Sequence, residues 1–387
     1  MRVLIVDHTA GVPSYRRKFA ALASRPGMDL TVLAPERWVE NYREVRAVPA
    51  EENGFRLRTG RVVWPGYENR GFFVSGLGPA LRASRPELIH LWEEPFSLIA
   101  LQSQAHAALW SPRTPILFST SDDLSRGFRY PYRPSALYAR IEQVTLRRAA
   151  GATYMNRKVH DLLREKGFGK PLEQITHGLD LQDYPCSLHE RADASGAARP
   201  LAIGFLGKLT NQKGVDVLLR ALAMMPPGRA LALDVVGDGP ERHHLRALAS
   251  DLGLGDRVRF LPAVPHAEAP RLLRGFDVLV LPSRTIRTSQ EHFGRVLIEG
   301  MAAGCVVIGT GSGAIPEVIG DAGLVVPEES PEALSNALDR VRSDPALAAA
   351  LREKGRERVK ARYTWDAIAA RLASFYDRVL ENPRGRN

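Results

Sequence analysis

Residues 281–313 read LPSRTIRTSQEHFGRVLIEGMAAGCVVIGTGSG. The apolar run from Asp277 to Leu281 predicts a buried strand, and the apolar spacing after Gly294 predicts a helix over about Arg295 to Ala303. A chain that passes from strand through loop into helix leaves the first backbone N–H groups of the helix unpaired, here those of Gly294 to Leu297. Such a helix start attracts anions. Glu291 stands just before it and Glu299 one turn inside it, with seven residues between them. Carboxylates so placed accept hydrogen bonds from hydroxyl groups. Together these features predict a ligand in which phosphates join a sugar to a nucleotide.

The same alternation extends outward in both directions. Before the motif come the strand LAIGFLG (201–207), a helix over Val215 to Met224, the strand ALDVVGDG (232–239), a helix over Glu241 to Leu252, the strand RVRFLP (257–262) and a helix over Ala267 to Gly275. After it come CVVIGT and GLVVP, then helices over Pro331 to Arg342, Pro345 to Arg362 and Trp365 to Leu380. The N-terminal half repeats the pattern. Its strands are VLIVD (3–7), DLTVLAP (29–35), LIHLW (88–92), PILFST (115–120) and GATYMN (151–156), and its helices run over Pro13 to Ala23, Pro134 to Ala149 and Arg157 to Lys166. Arg37 to Gly78 is less regular. Strands alternating with helices predict parallel sheets covered on both faces.

A length of 387 residues favours two cores over one. The expected division is a Rossmann-like domain over 1–183, a linker over 184–200, a second Rossmann-like domain over 201–364, and a closing segment over 365–387. The linker is placed where HERADASGAARP loses all periodicity. Ligands of open α/β sheets bind beyond the carboxyl ends of the strands, so a deep cleft between the two domains is the expected site.

Composition narrows the class. No run of about 18 apolar residues is present, so no transmembrane helix is expected, and the apolar start is too short for a signal peptide. Two cysteines, Cys186 and Cys305, argue against a disulfide scaffold or a cysteine metal site and favour the cytoplasm. A net charge of +10 comes without a recognition-helix, RNP-like or zinc-finger pattern, so no specific nucleic-acid partner is expected. Arg16, Arg17, Lys18 and the aromatic-rich stretch from Trp64 to Phe73 are the candidates for peripheral contact with the inner face of a membrane.

The residues that carry chemistry gather at strand ends. In GFLGKLTNQKG, Lys208 follows the first strand of the second domain and Lys213 precedes its helix, where two ammonium groups can neutralise a diphosphate. At about 4 Å each such contact is on the order of 4 kcal/mol before desolvation is subtracted. VVGDGPERHH lacks the third glycine of a dinucleotide fingerprint and reads as a tight strand-to-helix turn. GTGSG lacks the Lys-Ser or Lys-Thr of a phosphate loop. In the first domain, Gly11 permits close backbone approach, and Glu93, Glu94, Ser121, Asp122 and Asp123 sit at strand ends. Adjacent carboxylates on an extended chain diverge, so Asp122-Asp123 does not call for a metal. The ten histidines form no HExxH pair, and no GxSxG elbow is present.

Five motifs in order, G-K-x4-K-G, V-V-G-D-G-P, L-P-S, E-H-F-G-x4-E and G-A-I-P-E-V-I-G, resemble family 4 of the retaining glycosyltransferases across the whole second domain. The first domain resembles it more loosely, in the early glycine loop, HLWEEP, residues 120–150 and ITHGLD. The resemblance implies a GT-B architecture whose C-terminal helix crosses back to the first domain. It implies a nucleotide-diphosphate sugar as donor substrate, retained anomeric configuration, and no required metal or cofactor. The acceptor it implies is a glycan, lipid-linked or small-molecule hydroxyl.

By position, Lys208 and Lys213 would hold the diphosphate, Glu299 the ribose and Glu291 the donor sugar. The backbone of Phe293, Gly294, Arg295, Val296 and Leu297 would meet sugar and phosphate, and that of Pro262 and Ala263 the base. Lys208, Lys213 and Glu291 are therefore the catalytic candidates, and Glu94, Ser121 and Asp122 the acceptor-side ones. Three departures stand out. Lys208 replaces a frequent Arg, Gly11 lacks a neighbouring glycine, and Ser121 or Asp122 fills the place of a common histidine. A long loop over Arg284 to Gln290 fits the subset acting on extracellular polysaccharides or related glycoconjugates. A sugar-nucleotide epimerase or phosphorylase of the same architecture, or a non-catalytic nucleotide or nucleic-acid binding protein, are the alternatives.

Overall fold

The computed structural model describes residues 1–40, 43–123, 134–185, 200–226, 231–287 and 289–381. Most of the expected linker, with Cys186, lies outside the described residues, as do Thr288 of the 284–290 loop and residues 382–387. The chain divides into two compact units, Met1–Gly178 with Trp365–Asn387, and Leu179–Thr364.

Unit 1 contains strands β1 (Arg2–Val6), β2 (Asp29–Pro35), β3 (Arg37–Glu40), β4 (Arg43–Arg46), β5 (Ala50–Glu52), β6 (Phe55–Gly60), β7 (Val62–Val63), β8 (Phe72–Phe73), β9 (Leu88–Leu91), β10 (Ile116–Thr120), β11 (Gly151–Tyr154) and β12 (Leu172–Gln174). Eight of them form one sheet in the order β12-β11-β10-β9-β1-β2-β6-β5. Every pairing in it is parallel except β5 with β6. Continuous apolar runs such as Val3 to Val6 form its centre because both faces are covered.

One face is closed by the C-terminal helix Trp365–Glu381. Its Ile368, Leu372, Phe375 and Tyr376 recur at helical spacing and pack with Phe19, Leu22, Val32 and Leu117. Helices Leu77–Ser84 and Leu98–Trp110 cover the other face. The sequence reading missed both. The first begins at the very end of the stretch read as irregular, and the second (LIALQSQAHAALW) is apolar around too much of its girth to show a period. The helix expected over Pro13 to Ala23 opens as a 3-10 turn, Pro13–Arg16, before Arg17–Ala23 becomes α-helical. There the Arg16 guanidinium folds back onto the carbonyls of Ala10 and Gly11.

Unit 2 contains β13 (Leu201–Leu206), β14 (Leu231–Val236), β15 (Val258–Leu261), β16 (Val278–Leu281), β17 (Val306–Thr310) and β18 (Gly323–Val326). They form one wholly parallel sheet in the order β15-β14-β13-β16-β17-β18. Read from β13, this is the doubly wound 3-2-1-4-5-6 arrangement, whose direction of winding reverses between β13 and β16. In unit 1 the reversal falls between β1 and β9, which flank each other in the sheet. The loops after those four strands are therefore where each unit is built to receive a ligand. No helix among the described residues is long and apolar enough to cross a membrane.

Candidate functional site

In unit 2, β13 runs into Gly207, Lys208 and Leu209. Leu209 is buried and anchors the loop, while Lys208 is exposed and its ammonium has no hydrogen bond or ion pair among the described residues. The VVGDG turn braces this loop. Gly207 N–H donates to the Val236 carbonyl at 3.0 Å, Leu209 N–H to that of Asp238 at 2.8 Å, and Glu241 N–H to that of Leu209 at 3.1 Å. VVGDG is thus a support for the lysine loop.

The loop then makes a 3-10 turn, Asn211–Lys213, and enters the helix Val215–Met224 through Gly214. Gly214 has φ 64°, and a Cβ there would stand 2.0 Å from the Pro282 carbonyl oxygen after β16. Glycine lets the two loops of the switch point touch. Arg284 ties them further, donating to Asn211 Oδ1 at 2.9 Å and to Asp216 Oδ1 at 2.5 Å, with its N–H on the Gln212 carbonyl at 2.8 Å.

This junction brings Lys213 to Glu291. Lys213 Nζ donates to Glu291 Oε2 at 2.5 Å, and Ser283 Oγ donates to the same oxygen at 3.0 Å. Glu291 is itself buried, and its carbonyl accepts from Ala314 N–H at 2.8 Å, so the GTGSG loop holds its backbone. Gly294 follows with φ 77° and starts the helix Arg295–Ala302, whose first turn no side chain caps. Phe293 is buried, with its ring edge-on to Tyr363 at 5.8 Å, and Leu297 is fully buried. What these two offer a ligand is therefore backbone. Pro262 and Ala263 are exposed just beyond β15.

Glu299 belongs to a separate group. Its Oε1 lies 3.0 Å from Arg295 Nε and 3.7 Å from His266 Nδ1. The Arg295 contact is an ion pair without the alignment of a hydrogen bond, since both atoms lack a hydrogen-bond partner. Burial outweighs Arg295 and lifts the Glu299 pKa to about 7. Arg295 Nη2 donates to His266 Nε2 at 2.6 Å, which puts the imidazole proton on Nδ1, facing Glu299. The structure thus joins Lys213 to Glu291 and Glu299 to Arg295, and pairs Lys208 with neither. Ser283, His266 and the Arg284–Asp216 tie escaped the sequence reading. A position next to a strand end was the one signal available for Ser283.

In unit 1 the loops after β1, β9 and β10 converge. Glu94 accepts from Thr120 Oγ1 at 2.6 Å, from Ser121 N–H at 2.8 Å and from Ser121 Oγ at 3.0 Å. Burial outweighs these bonds and raises its pKa to about 7. Asp122 is half-buried, with its N–H on Thr120 Oγ1 at 3.3 Å. Gly11 is buried in the turn His8–Gly11, yet a Cβ there would meet only the Pro35 carbonyl, at an ordinary 3.8 Å.

A buried ion pair at this switch point was not foreseen. Glu93 accepts from His8 N–H and pairs with His8 Nδ1, each at 2.8 Å, and the imidazole lies 4.8 Å from the Trp38 ring. Burial works against a charged imidazole, but Glu93 outweighs it and raises the His8 pKa to about 9. Burial pushes Glu93 up as well, so the pair keeps its proton through neutral pH.

Other expectations are redirected by packing. Arg16 pairs with Glu52 at 2.7 Å and Lys18 with buried Asp7 at 2.6 Å, so this basic cluster turns partly inward. Trp64 and Tyr67 are exposed. His90 is a core residue. Its Nδ1 accepts from Trp92 Nε1 at 2.8 Å and from the Tyr376 hydroxyl at 2.7 Å, its Nε2 meets Ser119 Oγ at 3.0 Å, and burial lowers its pKa to about 3. Among the described residues no group of three His, Cys, Asp or Glu side chains is arranged to hold a metal.

Comparison with known proteins agrees with this layout. The model described as "Glycosyl transferases group 1" matches residues 190–358, and that described as "Glycosyl transferase 4-like domain" matches residues 10–176. The chain is 34% identical over 213 residues to a GDP-mannose-dependent alpha-(1-6)-phosphatidylinositol monomannoside mannosyltransferase of Mycobacterium tuberculosis, across 53% of this chain and 55% of that protein. It is 29% identical over 259 residues to the 2-deoxystreptamine glucosyltransferase of Streptomyces kanamyceticus, across 64% of this chain and 65% of that one. These alignments span between half and two thirds of the relatives' lengths.

Two solved structures share the fold. Sucrose-phosphate synthase from Thermosynechococcus elongatus matches with a TM-score of 0.70 at 22% identity, over 98% of this chain and 99% of its own. Anabaena HepE, solved in complex with UDP, matches with a TM-score of 0.68 at 19% identity, over 98% and 100%. With both halves of the chain matched and the fold shared end to end, the chain belongs to the GT-B glycosyltransferases of the family 4 type.

Proposed function

We propose that the protein transfers a sugar from a nucleotide-diphosphate sugar to an acceptor hydroxyl, with retention at the anomeric carbon and without a required metal ion. The observation that carries this reading is the Lys213–Glu291 pair at the unit 2 switch point, beside the uncapped start of the helix Arg295–Ala302. In the complex, Lys213 exchanges part of its bond to Glu291 for the donor diphosphate, and Lys208 supplies a second positive charge. The freed Glu291 oxygen accepts from donor-sugar hydroxyls, and the backbone N–H groups at Gly294 to Val296 face the distal phosphate. Glu299 takes the ribose hydroxyls, and backbone at Pro262 and Ala263 meets the base.

The reaction follows from where charge grows. The acceptor oxygen bonds to the anomeric carbon on the face from which the diphosphate leaves. The carbon–oxygen bond to phosphate breaks with its electron pair on the diphosphate, and the acceptor proton passes to that departing oxygen. The lysines and helix amides stabilise the growing negative charge, a contribution of roughly 3 kcal/mol for a single well-placed donor. Glu94, with Ser121 and Asp122, is assigned to the acceptor.

The relatives' names guide the substrates to try. One is named for GDP-mannose and another for 2-deoxystreptamine, and HepE was solved with UDP and with UDP-glucose. A panel of GDP- and UDP-sugars with inositol phosphate, aminoglycoside and lipid-linked glycan acceptors is the first assay. Lys213→Ala should lower turnover about a hundredfold or more, consistent with the cost of losing one such donor, and Glu291→Ala should lower it as well by removing the acceptor for the sugar hydroxyls. Product NMR should show the donor's anomeric configuration, and EDTA should leave the rate unchanged. Near-wild-type rates in both variants, or turnover of the nucleotide sugar with no acceptor present, would remove the reading in favour of a different activity.

A further inference from the structure

Unit 1 carries a further basic site, which extends along its sheet from the starts of β1 and β2. A cavity of about 320 Å³ is lined by Arg2, Asp29, Thr31, Arg56, Arg58 and Arg85. The sheet register assembles it. Arg2 is paired with Asp29 and Thr31 with Arg56 across the strands, and Arg56 and Arg58 alternate with buried Phe55 and Leu57. Two of the four guanidiniums are compensated. Arg56 is bonded to Asp29, and Arg2 lies 3.8 Å from Glu87, whose other oxygen accepts from the Arg2 N–H. Arg58 and Arg85 have no hydrogen-bonded or ion-paired side-chain partner among the described residues. The cavity therefore carries about two uncompensated positive charges. The C-terminus of the helix Leu77–Ser84 opposes them with only about half a charge.

Arg85 adds an independent sign. It ends that helix in the left-handed conformation, φ 42° and ψ 59°. That is ordinarily the place of glycine, and it is unusual for a residue preceding proline, as Arg85 precedes Pro86. Two exposed arginines lining one cavity fit the two-pronged recognition of a phosphate by guanidinium groups. We propose that this cavity binds the phosphate group of a soluble phosphate or diphosphate compound, with Arg58 and Arg85 as its principal contacts. Arg2 and Asp29 begin their strands, and Arg58 stands further along the sheet opposite Leu33, so the cavity runs along the face of the sheet beside the helix Leu77–Ser84.

The test uses the full chain and inorganic phosphate or pyrophosphate at constant ionic strength. Phenylglyoxal labelling read by mass spectrometry should show both arginines protected by phosphate several-fold relative to chloride. The stabilisation by phosphate seen in thermal unfolding should persist in Lys213→Ala and fall at least threefold in Arg58→Ala/Arg85→Gly. Arg85→Gly alone should melt higher than wild type without ligand, because glycine accepts that conformation freely. Equal labelling with and without phosphate, or full phosphate stabilisation in the double variant, would overturn the proposal. So would binding confined to phosphatidylglycerol vesicles in flotation, since the phosphate would then come from a lipid surface.

Discussion

Gly313 stands against the backbone of Glu291 so closely that a Cβ on it would lie 2.1 Å from the Glu291 carbonyl oxygen. Gly313 also has φ 53°, where a side chain adds a cost of about 1–2 kcal/mol. Gly313→Ala should therefore both lower the melting temperature and push Glu291 away from Lys213 and Ser283. Transferase activity should fall at least tenfold even at temperatures where circular dichroism shows the fold intact. Unaltered kinetics would mean that the GTGSG loop plays no part in placing Glu291.

Glu299 gives a signed pH effect. Burial raises its pKa to about 7, so the folded protein holds a proton there that the unfolded chain releases near 4.5. Its contribution to stability is fully present below about 4.5 and is lost as the pH rises through about 7. Only the carboxylate accepts from both hydroxyls of a ribose. Affinity for a nucleotide sugar, which has no phosphate titrating in this range, should rise several-fold from pH 6 to pH 8. Calorimetry on Glu299→Gln should give a flat profile.

The His8–Glu93 pair acts at higher pH. The folded pKa of His8 is about 9 against an ordinary 6.5, so the pair's contribution is whole below 6.5 and disappears as the pH passes 9. A shift of that size corresponds to roughly 3 kcal/mol at most. The melting temperatures of wild type and His8→Gln should differ clearly at pH 6 and converge by pH 10. A gap that stays constant across that range would show that the imidazole is not charged in the folded state.

The C-terminal helix is an integral part of unit 1. Phe375 is fully buried in the core with Phe19 and Leu117, so Phe375→Ala should cost about 3–5 kcal/mol. Tyr376→Phe removes one of the two donors to His90 Nδ1 and should cost about 1 kcal/mol. Denaturant unfolding of both variants would measure this. A loss well under 1 kcal/mol in the phenylalanine variant would contradict the packing described.

Part of this organisation is legible in one dimension. The six strands of unit 2 announce themselves because each is mostly apolar, and the helices Val215–Met224 and Pro331–Ser343 because their periods are clean and their starts carry Gly or Pro. Unit 1 is harder to read. Its short hairpins β3–β4 and β7–β8 depend on partners across the sheet, and the helix Leu98–Trp110 hides its period by being apolar nearly all round. In the site, strand ends pointed to Lys208, Lys213, Glu291 and Glu94. Ser283 was marked only by its place next to a strand end, and nothing local marked His266 or the pairing of His8 with Glu93, because each acquires its meaning from a residue on another loop.

The sequence alone determined the alternation of strand and helix, and hence the two doubly wound sheets and the loops that carry charge, because burial on both faces of a parallel strand leaves a local imprint. Only the tertiary structure decided which charges meet. Lys213 binds Glu291 across 78 positions of chain, Glu93 holds His8 across 85, and Arg58 and Arg85 meet no side-chain partner among the described residues. Electrostatic pairing falls off with distance in space, and distance in space is set by strand order and register, which no local pattern encodes.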